Sequence, residues 1–139
     1  MLMSAYNSVI DYLEDIIQFN HMTLIHISGS AYDPDVVNAK KKVIIINRNY
    51  QSHFSYHFRL AHEIAHLLSD TTRTTYNFSQ LAKTTAEKQA NLTGIKILAD
   101  FYFSDNQSKK MCWERRFPFI ETFGLGQLTH LVEKVLKPT

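Results

Sequence analysis

The segment His62-Glu63-Ile64-Ala65-His66 places two imidazoles four residues apart, with a carboxylate directly after the first. At about 100° per residue of α-helix the two histidines are offset by only about 40°, so both rings leave one face and are able to share an ion. Glu63 sits about 60° round from His66, too far aside to be a natural co-ligand yet close enough for its carboxylate to reach water beside that ion. The chemistry such a set supports is metal-assisted hydrolysis, with Glu63 as acid and base. Histidine is abundant in the chain, at seven residues. Even so, the frequencies of His and Glu over about 135 windows give only about 0.01 to 0.02 chance matches to the pattern.

A catalytic zinc uses three protein ligands plus water, so a third ligand is required. Glu87 is the best candidate: it lies on a later helical segment able to return antiparallel to the first. Asn91 stands one turn beyond Glu87 on the same face, placed to hydrogen-bond a ligand's free ring nitrogen. Asp70, four residues after His66, is the rival. Three successive turns of a straight helix span about 12 Å, too far for three side chains around one ion. His53 and His57 repeat the spacing without an acid between them and read as partly exposed first-turn histidines, with His57 still near enough to assist. Candidates for holding a tetrahedral oxyanion are His57, Tyr50, Tyr56 and Tyr76, and spacing does not choose among them.

These groups need two helices and something to brace them. Ser52 or Ser55 can cap a helix running to about Asp70, with Phe54, Phe58, Ala61, Ile64, Ala65 and Leu68 as its buried stripe. A second runs from near Gln80 to Asp100, and its Ala82, Ala86, Ala90 and Gly94 form a ridge of small residues that lets another backbone come close. The polar stretch Thr71 to Ser79 connects the two. Ahead of them, residues 4–19 read as an amphipathic helix with Val9, Ile10, Leu13, Ile16 and Ile17 on one stripe and Asn20 closing it. Thr23 to Ile27 and Val43 to Asn47 read as strands, separated by the turn-rich stretch Ser28 to Lys42. The second is apolar on both faces, as a central strand is under helices. Thr23 to Ile27 is the candidate edge for an extended substrate, and reads equally well as a covered strand.

Beyond Asp100 the character changes. Asp105 to Arg116 is polar and basic apart from Met111, Cys112 and Trp113, Pro118 blocks helix continuation, and a last helix is expected from about Gly126 to Lys137 on a stripe of Leu128, Leu131, Val132, Val135 and Leu136. The expected architecture is one α+β domain over 1–139, with a core of about 4–100 and a C-terminal appendage of about 101–139. Its short sheet packs on the HEIAH helix, and the Glu87 helix follows.

Composition agrees with a folded domain. Of 139 residues 45% are hydrophobic and 20% charged, with only 4 Gly and 3 Pro, which excludes disorder and collagen-like structure. The single Cys112 cannot form an internal bridge, the usage of a reducing compartment. Met1 to Gln18 carries Asp11, Glu14 and Asp15 and lacks a basic region ahead of a cleavage site, so it does not read as a secretory signal. The longest apolar run, Val43 to Ile46, is strand-length, and a soluble cytoplasmic protein is expected. A formal charge of +2 is too small to argue for a phosphate-tracking surface, so direct nucleic-acid binding through Lys109, Lys110, Arg115 and Arg116 is not expected.

Ile44-Ile45-Ile46-Asn47, then Phe58-Arg59-Leu60-Ala61-His62-Glu63-Ile64-Ala65-His66-Leu67-Leu68, then Glu87-Lys88-Gln89-Ala90-Asn91 resembles the ImmA/IrrE family of metallo-endopeptidases. In that family a strand ending in Asn, a helix of the form FxxAHExxHLL and a helix carrying ExxAN occur in this order. The likeness covers roughly residues 40 to 98. Where members usually continue into an LLMP-like segment, this chain has Ile97-Leu98-Ala99-Asp100. The resemblance implies a zincin-like fold, with His62, His66 and Glu87 binding Zn2+, or Mn2+ or another divalent ion, and Glu63 as the catalytic acid/base.

It also implies a regulatory protease of the bacterial cytoplasm, phage or mobile-element encoded. The implied substrate is a helix-turn-helix transcriptional repressor. The competing reading is a non-catalytic antirepressor or toxin-antitoxin binding module that keeps the metal as a structural clamp.

Overall fold

A computed structural model describes residues 8–69, 80–104 and 107–138; Asp70, Tyr76 and the rest of the Thr71 to Ser79 connection lie outside it, as does the side chain of Ala82. Helix α1 (Val9–Phe19) begins where the Ser8 hydroxyl accepts a hydrogen bond from the Asp11 N–H, and ends where the Asn20 amide donates to the Ile16 carbonyl at 2.8 Å. Its buried residues are Leu13 and Ile17, both on the stripe read from the sequence.

Three strands follow, β1 (Thr23–Ile27), β2 (Val36–Asn38) and β3 (Val43–Asn47), in the order β1-β3-β2. The apolar run β3 is central: β1 pairs with it in parallel and β2 antiparallel, so Ile25, Ile45 and Val36 share one row across the sheet. Side chains alternate along a strand. Ile44 and Ile46 are therefore buried under the helices, while Ile25, Ile27 and Val36 on the other face stay exposed. β2 was not legible as a strand, because three residues beside Pro34 and Asp35 are too few to set up an alternation.

Helix α2 (Tyr56–Leu68) carries the two histidines. Of the two serines able to cap it, Ser55 does so, accepting from the Phe58 N–H at 3.2 Å, while Ser52 accepts from the Phe54 N–H in the preceding turn. Helix α3 (Gln80–Tyr102) packs along α2, with Ala86 and Ala90 buried. The closest approach is at Gly94. A Cβ there would lie 3.3 Å from both the His62 backbone nitrogen and the Phe58 ring. Gly94→Leu is accordingly expected to destabilise the fold by about 1–3 kcal/mol through overpacking. Because the intruding group presses on His62, metal affinity should fall with it. Denaturant melts and metal titration check both; unchanged values would mean that the helices can part at this point.

The C-terminal stretch is more helical than its composition suggested. Ser108 caps α4 (Lys109–Glu114), and after a break at Arg115 come α5 (Arg116–Phe123), a 3-10 turn (Gly126–Leu128) and α6 (Thr129–Leu136). Pro118 has no N–H for the Glu114 carbonyl, where α4 stops, yet it fits the first turn of α5, whose N–H groups have no helical partner in any case. Gly124 closes α5 in the left-handed region, at φ 65°. Phe119, Ile120, Phe123, Leu125, Leu131 and Val132 join the same core as Leu13, Ile44, Phe58 and Leu98. Arg116 lies over the Trp113 ring and pairs with Glu133 at 2.9 Å, so part of the basic run is spent inside the fold.

Candidate metal centre

α2 and α3 run antiparallel, since Glu87 meets His62 and His66 while Gly94, two turns on, meets Phe58 and His62. That direction brings the third ligand to the histidine pair. Glu87 Oε1 lies 2.9 Å from His62 Nε2, Glu87 Oε2 lies 3.2 Å from His66 Nε2, and the two Nε2 atoms are 3.1 Å apart. One ligand atom from each residue falls within 4.8 Å of the others, which makes these three a group that could hold a metal ion. His66 is buried, at 7% exposure, whereas the Glu87 side chain reaches in from a more open position.

Glu63 does not join this cluster. It is 8% exposed and lines the same cavity, a cleft of about 950 Å3 that also contains His62, His66, Glu87 and Asn91. Burial pushes its carboxyl up to about 8, the charges of Asp35 and Glu87 add to the shift, and Arg59 opposes it. A group held in that way gives up and takes up protons near neutral pH, which is what an acid/base in hydrolysis needs. A divalent cation at the triad would favour the carboxylate and draw the value down.

Sequence reasoning missed what braces the cleft. Arg59, one turn before Glu63, donates from Nε and Nη2 to both oxygens of Asp35, each at 2.7 Å, and from Nη2 to the Asn47 carbonyl at 2.8 Å. Asp35 Oδ1 in turn accepts from the Asn47 N–H. The Asn47 side chain, fully buried, accepts from the N–H groups of Gly29 and Asn49 and donates to the carbonyls of Ser30 and Asp33. The strand-ending Asn is thus the hub that fixes the loop between β1 and β2, and Arg59 ties that loop to α2. An Arg four residues before the motif's Glu was a visible signal; its partner Asp35 was not. Asp35→Asn is expected to lower stability by about 1–3 kcal/mol, because it leaves a largely buried guanidinium without its counter-charge. Thermal melts of the variant check this, and an unchanged midpoint would put Arg59 in contact with water.

The other sequence candidates divide. Tyr50 lines the cavity and its ring lies 5.7 Å from the Arg59 guanidinium. Tyr56 and His57 are not brought there: Tyr56 Oη is 2.7 Å from His26 Nε2, and His57 packs edge-on against Phe123. Asn91 lines the cavity, and His62 Nδ1 is buried with no hydrogen-bond partner among the described residues. The strand along the cleft is β2, whose Val36, Val37 and Asn38 line it, and not β1. Among the described residues no strand pairs with the other side of β2.

Residues 16–120 match the model of the peptidase family M78, described as the IrrE N-terminal-like domain. The chain belongs to this family. M78 membership points to a metallopeptidase acting on protein, and it takes in all three candidate ligands and Glu63. No curated protein and no solved structure gives a significant match. Among the described residues no helix is long and apolar enough to cross a membrane.

Proposed function

We propose that this chain is a zincin-like, zinc-dependent endopeptidase of the bacterial cytoplasm that makes site-specific cuts in a helix-turn-helix repressor of a phage or mobile element. The observation that carries the reading is the convergence of His62, His66 and Glu87 in a cleft with Glu63 buried beside them and an unpaired strand edge along one wall. The donor set fits: two imidazole nitrogens and one carboxylate are what a catalytic zinc uses when it keeps a position open. Mn2+ or another divalent ion suits the same ligands. When bound, the ion polarises the scissile carbonyl and acidifies water.

The chain's own residues do the rest. Glu63 takes the proton of the attacking water and returns it to the leaving amine. The free side of β2 holds an extended substrate through main-chain hydrogen bonds. Tyr50 is the cavity-lining hydroxyl assigned to the oxyanion, and Asn91 is the polar group of α3 left to orient a ligand. Residues 1–139 act as one domain, because the C-terminal helices share the core that supports α2 and α3. The repressor substrate follows from the family resemblance of the HEIAH and ExxAN motifs.

The test is to incubate metal-loaded protein with the repressor encoded beside its gene, following intact mass and operator binding. One or a few discrete fragments with loss of operator binding are expected. Operator release without any fragment would overturn the catalytic reading in favour of a non-catalytic antirepressor.

A further inference from the structure

The cleft is electrically lopsided. Of its carboxylates near the triad, both oxygens of Asp35 are held by Arg59, Glu87 faces two imidazoles, and Glu63 is buried in the wall formed by α2. Lys40 and Lys83 line the same cleft, and neither has an ion-pair partner among the described residues. They arrive from opposite walls at one end. Lys83 lies one turn before Glu87 and so shares its face of α3. Because α3 runs antiparallel to α2, this places Lys83 past His66, toward the end of α2. Arg59, in the first turn of α2, bonds both Asp35, just before β2, and the carbonyl of Asn47 at the end of β3; β2 runs antiparallel to β3 and so leads away from that point, which sets Lys40 at the end of the cleft away from Arg59. Tyr50, Phe54 and Phe58 line the other end.

We propose that Lys40 and Lys83 form a subsite for a carboxylate side chain of the substrate, so that cleavage falls near an acidic residue. The inference rests on the peptidase reading above. Lys40 and Lys83 are both exposed at the rim of the cleft, and two ammonium groups acting on one carboxylate attract it more strongly than either does alone. Lysine is a point charge on a flexible stem, so the pair selects charge rather than shape. One helical turn separates Lys83 from Glu87, about 6 Å, and an extended chain advances about 3.3 Å per residue, which sets the acidic side chain about two residues from the cut bond.

The test uses metal-loaded full-length protein on a peptide library made from a digested proteome, with cleavage sites read by mass spectrometry. Glu and Asp should be enriched about five-fold at a fixed position on one side of the bond, the size a solvent-accessible ion pair supports. The double variant K40E/K83E should lose that enrichment and favour Lys and Arg at the same position. K40Q and K83Q, checked for folding by circular dichroism, should each weaken it should the double variant not fold. Cleavage without acidic enrichment, or enrichment unchanged by the substitutions, overturns the subsite and leaves the peptidase reading standing. If the wild type cuts nothing, the peptidase reading fails, and binding of a labelled Glu-containing peptide against its Gln counterpart decides. A Glu preference lost in K40E/K83E supports the subsite, and equal affinity overturns it.

Discussion

Glu63→Gln is expected to reduce peptide-bond cleavage by about 10²- to 10⁴-fold, the range that a positioned general acid/base contributes. Metal content should stay at the wild-type level. The two halves of this expectation have separate origins. Gln has the shape of Glu but cannot take a proton, so the variant keeps the packing of a side chain only 8% exposed and loses the one step assigned to it. The ligands are another set of atoms, His62, His66 and Glu87, whose spacing does not involve residue 63. The measurement is paired: fragment yield by intact mass, and metal per chain by elemental analysis. Retained cleavage would assign the proton transfer elsewhere, although neither His57 nor Tyr56 lines the cleft to receive it. Lost metal would mean that residue 63 supports the ligands.

Glu87→Ala should abolish the stabilisation that a divalent ion gives the wild type. An ion present at about 1,000 times its dissociation constant adds about 4 kcal/mol to a fold that binds it only in the native state. Losing one of three ligands should weaken affinity by more than the about 10- to 100-fold typical of supporting groups around a ligand. The melting temperature of wild type is therefore expected to rise with added Zn2+ and fall back with chelator, while Glu87→Ala shows little of either. A wild-type-sized response in the variant would point to a different third ligand, and Asp70→Asn made in parallel would test the rival.

Much of the centre was legible because helices write their geometry into short-range spacing. His62, Glu63 and His66 fix their own relative directions, and Glu87 with Asn91 does the same one helix later, so only the antiparallel return had to be inferred. The short stretch between the two helical segments suggested it, and the ridge of small residues permitted the close approach, with Gly94 the tightest point. What escaped was long-range or too short to show a period. β2 is three residues, Asp35 finds Arg59 across 24 positions, and the buried role of Asn47 depends on a loop folding back onto it. The C-terminal helices were underestimated for a related reason. α4 and α5 together span fewer than twenty residues and are divided at Arg115, so neither displays a long apolar stripe.

The ligands stand on two helices joined by residues 69–79. None of the three comes from the joining stretch itself. The geometry of the site is therefore set by the phase of these two helices, and a shift of one residue within α2 or α3 would turn a ligand by about 100° and destroy the site. Insertions inside either helix are not tolerated.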